Sequence, residues 1–171
     1  MTANSNASEP IVRLATSADA AAIVEIYNYY ITNTIITFEE EVISEAEMSR
    51  RMFDIAALNL PWLVAEVEGQ VAGYAYAGQF RTRIAFRYTV EVTVYLDMKY
   101  AGRGLGSKLY EELFAKLKEL GIHVAIGGIS LPNESSVALH EKFGMEKVAH
   151  FKEVGYKFDQ WIDVGFWQRM L

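Results

Sequence analysis

Apolar residues recur along this chain with two periods, and the switches between them predict its elements. Ile11 to Leu14 reads as a short strand. Thr16 followed three residues later by Asp19 is a capping pattern, and it opens a helix carrying Ile23, Ile26, Tyr27, Tyr30 and Ile31 on one side, ending near Asn33. A second helix spans Ser44 to Leu58. Trp62 to Val67 and Val71 to Gln79, hinged on Glu68-Gly69, form a hairpin. From Val90 the period is two: Val90, Val92, Val94 and Leu96 share one face, with Glu91, Thr93 and Tyr95 on the other. Leu105, Leu109, Leu113, Leu117 and Leu120 then recur at helical spacing. Residues 122–129 give a strand, 133–143 a helix, and two strands near 146–155 and 161–169 close the chain. Strands interleaved with helices in this order predict a mixed α/β sheet.

With 171 residues, 51% of them hydrophobic, the chain can build one well-buried core and is too short for two ordinary domains. A single domain is expected over 11–171, behind a mobile polar tail at 1–10. A formal charge of −6 argues against nucleic acid and anionic membranes as partners and leaves small molecules. The chain has no cysteine and three scattered histidines, so neither a thiolate nucleophile nor a metal site is expected. The polar start lacks the basic and apolar stretches of a signal peptide, and a cytoplasmic location is expected.

Between the alternating strand and the leucine helix lies Ala101-Gly102-Arg103-Gly104-Leu105-Gly106-Ser107. Glycines let a main chain approach a phosphate closely, and a helix start offers free N–H groups and a positive dipole end. An anionic cofactor is therefore expected here. The order Gly106-Ser107-Lys108 breaks the P-loop pattern, and the dinucleotide spacing also fails. What remains is G-x-G-x-G between strand and helix, which resembles the pyrophosphate loop of the GNAT acyl-CoA transferases.

The element order resembles the GNAT fold nearly end to end: a mixed, mostly antiparallel central sheet flanked by helices. Local phrases narrow the resemblance to the phosphinothricin and methionine sulfoximine N-acetyltransferases. They include Ile26-Tyr27-Asn28 with Thr37-Phe38, Pro61-Trp62-Leu63-Val64-Ala65-Glu66, Gly73-Tyr74-Ala75-Tyr76-Ala77 and Thr89-Val90-Glu91. Gly155-Tyr156-Lys157 and Asp163-Val164-Gly165-Phe166-Trp167-Gln168 resemble the family's closing strands. The resemblance implies acetyl transfer from acetyl-CoA to the α-amine of a small glutamate- or methionine-like amino acid, without a metal, in a homodimer. An acetyltransferase for another amine and a non-catalytic acyl-CoA sensor are the alternatives.

Acyl transfer to an amine needs a proton acceptor, a polarised carbonyl and a protonated leaving thiol. Glu91, on the polar face of the strand entering the turn, reads either as a solvated strand residue or as the general base, and the resemblance implies the base. It also implies that His140, seven residues after Asn133, stands where many relatives carry the tyrosine that protonates the thiolate. Orienting the cofactor thiol or a structural role would use the same position. By the same resemblance Val94, Tyr95 and Leu96 offer main-chain contacts to the acetyl and pantetheine part. Gly102, Arg103, Gly104, Leu105, Gly106 and Ser107 would cradle the pyrophosphate, and Asn133 and Ser136 would meet the pantetheine arm. Relatives carry Gln or Arg where Ala101 stands, and Arg103 would offset part of that loss. Arg81 and Arg83, two apart, suit a substrate carboxylate. With Thr82, Val92 and Thr93 they fall on the family's acceptor contacts, and Phe38 and Tyr30 are expected beside the acceptor.

Overall fold

The computed structural model describes residues 9–171, so the expected mobile tail lies, up to residue 8, outside the described residues. Seven strands form one sheet: β1 (Ile11–Leu14), β2 (Trp62–Val67), β3 (Gln70–Gln79), β4 (Thr89–Leu96), β5 (Val124–Leu131), β6 (Glu146–Lys157) and β7 (Gln160–Met170), in the order β1-β2-β3-β4-β5-β7-β6. Four α-helices flank it: α1 (Ala20–Asn33), α2 (Glu45–Ala57), α3 (Leu105–Glu119) and α4 (Glu134–Lys142). Every strand pair is antiparallel except β4 and β5.

Alternation along the central strands splits the interior into two cores. Leu63, Ala65, Ala75, Ala77, Val90 and Val92 face α3, whose Leu105, Leu109, Leu113 and Leu117 are buried. Trp62, Val64 and Tyr74 point the other way, onto Ile23, Tyr27 and Tyr30 of α1 and Met48 and Met52 of α2. Leu120, expected in the α3 stripe, is 48% exposed, because α3 ends at Glu119 and Gly121 turns the chain away at φ +71°.

Local signals act where the sequence places them. The Thr16 N–H donates to Asp19 Oδ2 (2.7 Å), and Arg13 grips the same carboxylate with two 2.8 Å bonds. That box opens a 3-10 turn, Ser17–Asp19, which leads into α1. Ser44 caps α2 through the Glu47 N–H (3.1 Å). Strand β5 starts two residues later than expected, because His123 and Val124 both donate to the Tyr88 carbonyl before the ladder begins. Strands β6 and β7 meet in a tight hairpin closed by Lys157 and Gln160, with Phe158 and Asp159 both at positive φ.

Candidate active site

Strands β4 and β5 pair only from Thr89, Val90 and Glu91 to Val124, Ala125 and Ile126. Beyond Glu91 they diverge, and a cavity of about 730 Å³ occupies the wedge. Val92 to Tyr95 keep β3 on one side but have no strand on the other, so this stretch presents main-chain polar groups to the cavity. The cavity passes through the sheet, and the pleat sorts its walls into two chambers. Glu91, Thr93 and Tyr95 face one chamber, with Gly128 and Ser130 of β5 and Val164 and Phe166 of β7. Tyr110, Asn133, Ser136 and His140 wall the other.

Glu91 stands where the strands part. Its carboxylate lies against Gly128, where a Cβ would sit 3.2 Å from Oε1. Burial alone pushes its pKa above the usual carboxylate range, and no ion pair reaches it among the described residues. A half-buried carboxylate without a cation is poised to accept a proton. The roof of this chamber is the segment after α1. Phe38 packs on Gly155, where a side chain would collide with its ring. Three bonds fix the segment: Tyr27 Oη with Thr37 Oγ1 (2.8 Å), Lys157 Nζ to the Thr37 carbonyl (2.8 Å) and Arg51 to Glu39 (2.6 Å).

In the second chamber His140 is 3% exposed and burial holds its pKa below the ordinary imidazole value. The neutral ring spends its Nδ1 proton on the Ser136 carbonyl (2.7 Å), which leaves Nε2 to accept from the Tyr110 hydroxyl (3.0 Å). The ring also lies flush against Gly127, leaving no room for a Cβ there. Both ring nitrogens are thus engaged by protein groups in this geometry, and the ring seats α4 on β5. Asn133 caps α4, its Oδ1 accepting from the Ser136 N–H (3.2 Å), while its residue lines the cavity.

The glycine turn lies at the end of β4, beyond the cavity wall. Gly102 and Gly104 sit at φ +75° and +77°, a conformation that side chains other than glycine's disfavour, and Gly104 is the N-cap of α3. The first helical N–H groups thus point outward unpaired. Gly106 serves packing instead: a Cβ there would press on Leu139 at 3.1 Å. Lys142 donates to Ser107 Oγ (2.8 Å), and Arg103 lies over the Tyr100 ring, so cationic side chains flank the turn. Free N–H groups, nearby cations and the Asn133 amide suit a pyrophosphate with an amide-bearing arm. The described residues hold no cluster of three potential metal ligands.

Residues 12–165 match the family model of the GNAT acetyltransferase domain. The chain belongs to the GNAT acetyltransferase family. It is 43% identical to a phosphinothricin N-acetyltransferase of Streptomyces viridochromogenes, over 92% of this chain and 86% of that one. It is 37% identical to an L-methionine sulfoximine/L-methionine sulfone acetyltransferase of Salmonella typhimurium, over 94% of each. A phosphinothricin acetyltransferase of Sinorhizobium meliloti, solved in complex with acetyl-CoA, superposes with a TM-score of 0.93 at 39% identity, over 96% of this chain and 89% of that one.

Not every expected site residue of this GNAT chain reaches the cavity. Arg81, Thr82 and Arg83 are solvent-exposed and line none of it. The segment leaves β3 in bends and runs into a 3-10 turn at Ile84–Phe86, so the extended spacing assumed for the arginine pair does not hold. Tyr30 is also absent from the walls. It is buried behind β4, where its hydroxyl donates to the Leu96 carbonyl (2.7 Å) and its ring meets Tyr95 edge-on, so it steers the strand. Tyr110, Gly128, Ser130 and Lys142 were not singled out in the sequence. Only Lys142 left a trace there, as a cation in the last turn of α4.

Proposed function

We propose that this GNAT enzyme transfers the acetyl group of acetyl-CoA to the α-amine of a small amino acid of glutamate-like or methionine-derived shape. The observation that carries the reading is Glu91, a half-buried carboxylate without a counter-ion at the mouth of the wedge between β4 and β5. Acetyl-CoA supplies an activated thioester. Glu91 takes a proton from the acceptor's amine, directly or through one water, so that nitrogen attacks as a free base. The unpaired main chain of Val94 and Tyr95 supplies an N–H to the carbonyl oxygen as charge gathers there. The glycine turn with Arg103 and Lys142 holds the pyrophosphate, and Asn133 with Ser136 holds the arm. His140 orients the second chamber through Tyr110 and Ser136. Because Nε2 carries no proton, we assign it positioning in place of proton delivery.

The acceptor chamber is largely apolar, with Phe38, Val164 and Phe166 beside Glu91, which suits a short side chain better than a polyamine. Arg81 and Arg83 have no carboxylate partner among the described residues, and we place them at the rim as the source of attraction for an acidic acceptor. The chain acts in the cytoplasm as a homodimer on this reading. The β6–β7 hairpin is its interface, since Val154 and Trp161 are 58% and 64% exposed there. No helix is long and apolar enough to cross a membrane among the described residues.

The test is free-thiol release from acetyl-CoA across methionine sulfoximine, phosphinothricin, methionine sulfone, spermidine and a lysine peptide. Turnover confined to the amino acids is expected. Turnover of the cationic acceptors instead would overturn the acceptor assignment.

A further inference from the structure

Buried polar atoms almost always have a hydrogen-bond partner, so each exception asks for a reason. Two side-chain atoms lack one among the described residues: Trp62 Nε1 and Ser130 Oγ. The first is enclosed in the core between the sheet and α1, away from the cavity between β4 and β5. The second belongs to a residue that is 4% exposed and yet lines the cavity.

Ser130 follows Gly128 by two residues on β5, so both face the acceptor chamber, and Gly128 is the residue that touches the Glu91 carboxylate. Val164 is the partner of Ser130 across the strand pair, Phe166 lies one step along, and Thr93 and Tyr95 of β4 face the same chamber. A hydroxyl in such a wall, with no protein partner among the described residues, is available to hydrogen-bond a ligand oxygen.

Two residues of strand rise place Ser130 about 7 Å further along the chamber than the contact between Gly128 and Glu91. That is about the span from the α-nitrogen of an amino acid to an oxygen at the end of a short side chain. We propose that Ser130 is an acceptor-binding residue whose hydroxyl donates to the side-chain oxygen of the substrate, be it a sulfone, sulfoximine, phosphinate or carboxylate oxygen, while Glu91 serves the α-amine at the other end. The assignment rests on the amino-acid reading above and adds to it the group that selects oxygenated side chains.

Ser130→Ala removes the hydroxyl and leaves the strand intact. The KM for methionine sulfone is expected to rise about tenfold, the loss of one buried hydrogen bond, with kcat and the KM for acetyl-CoA unchanged. The melting temperature of the ligand-free variant should stay close to that of the parent, which separates a binding role from a structural one. An unchanged KM for methionine sulfone would overturn the proposal, as would a rise confined to acetyl-CoA, which would put Ser130 on the cofactor side. Absence of turnover of methionine sulfone, methionine sulfoximine and phosphinothricin alike by the parent protein would instead sink the amino-acid reading, and this assignment with it.

Discussion

The sheet has a covered half and an open half. Strands β1 to β3 are packed on both faces, by α1 and α2 on one and α3 on the other, and the polar groups around them are tied in pairs such as Arg13 with Asp19 and Tyr27 with Thr37. From the wedge onward the rule reverses. Among the described residues the Glu91 carboxylate has no cation and Ser130 Oγ no hydrogen-bond partner, and the β6–β7 hairpin leaves Val148, Phe151, Val154 and Trp161 half or more exposed. The covered half supplies stability with no chemistry in it. The open half gives up stability at each group that chemistry or a partner needs.

The sharpest way to break this division is Glu91→Gln. If the carboxylate accepts the amine proton, kcat falls about 10²- to 10⁴-fold while acetyl-CoA affinity, measured by titration, is unchanged. Because burial raises the pKa of Glu91, ionising it disfavours the folded state as pH rises, and the variant should melt no lower than the parent at neutral pH. In the parent, kcat/KM should climb with pH on an acid limb above the usual carboxylate range. A variant that melts well below the parent would make Glu91 a structural residue.

Leu109→Ala tests the covered half. The side chain is fully buried under the sheet, and its removal should cost about 2–5 kcal/mol, seen in denaturant unfolding. Below the melting point the kinetic constants should stay close to those of the parent, since no wall of the cavity includes this residue. Equal damage to kcat and to stability would show that the halves are coupled.

Asp19→Asn is a smaller probe of the same half. Arg13 holds the Asp19 carboxyl down to about 2 from an ordinary value of 3.8. A carboxyl lowered on folding contributes stability that is present above its unfolded value and is lost as pH falls from about 4 towards 2. The contribution is about 1–2 kcal/mol, below what the full shift would carry, because the Arg13 side chain is still 36% exposed. The parent and the variant should therefore converge in stability across that acid window and differ at pH 7.

The covered half was also the legible one. Its helices and strands follow from leucine spacing, alternation and capping residues, all short-range signals, and they lie within three residues of where the pattern puts them, the largest offset being the 3-10 turn that precedes α1. The β6–β7 turn carried no such signal, because Phe158 and Asp159 adopt the positive φ that glycine or asparagine ordinarily announces. At the site, Glu91, Asn133, His140 and Phe38 were found from the strand, the cap and the family resemblance, and all four line the cavity. Tyr110 and Ser130 were not. Their meaning comes from which strand or ring they face, and that depends on the divergence of β4 from β5, which no local pattern encodes. The arginine pair lies outside the cavity walls for a related reason: residue spacing gives a common face only while the chain stays extended, and this segment bends.

The mildest test concerns the hairpin surface. Trp161 meets the Tyr156 ring at a tilt, 4.8 Å between ring centres, and is 64% exposed, so Trp161→Glu should cost the single chain about 0.5 kcal/mol or less. If this surface is the interface of a homodimer, a buried charge there meets its own copy across the symmetry axis, and sedimentation should show the variant as a monomer at concentrations where the parent is a dimer. The hairpin also reaches the acceptor chamber: Lys157 holds the Thr37 carbonyl and Gly155 seats Phe38. Dissociation should therefore raise the acceptor KM more than the acetyl-CoA KM, because the glycine turn and α3 lie on the far side of the wedge. A parent that sediments as a monomer would leave these residues exposed for another reason and remove the interface from the account of the open half.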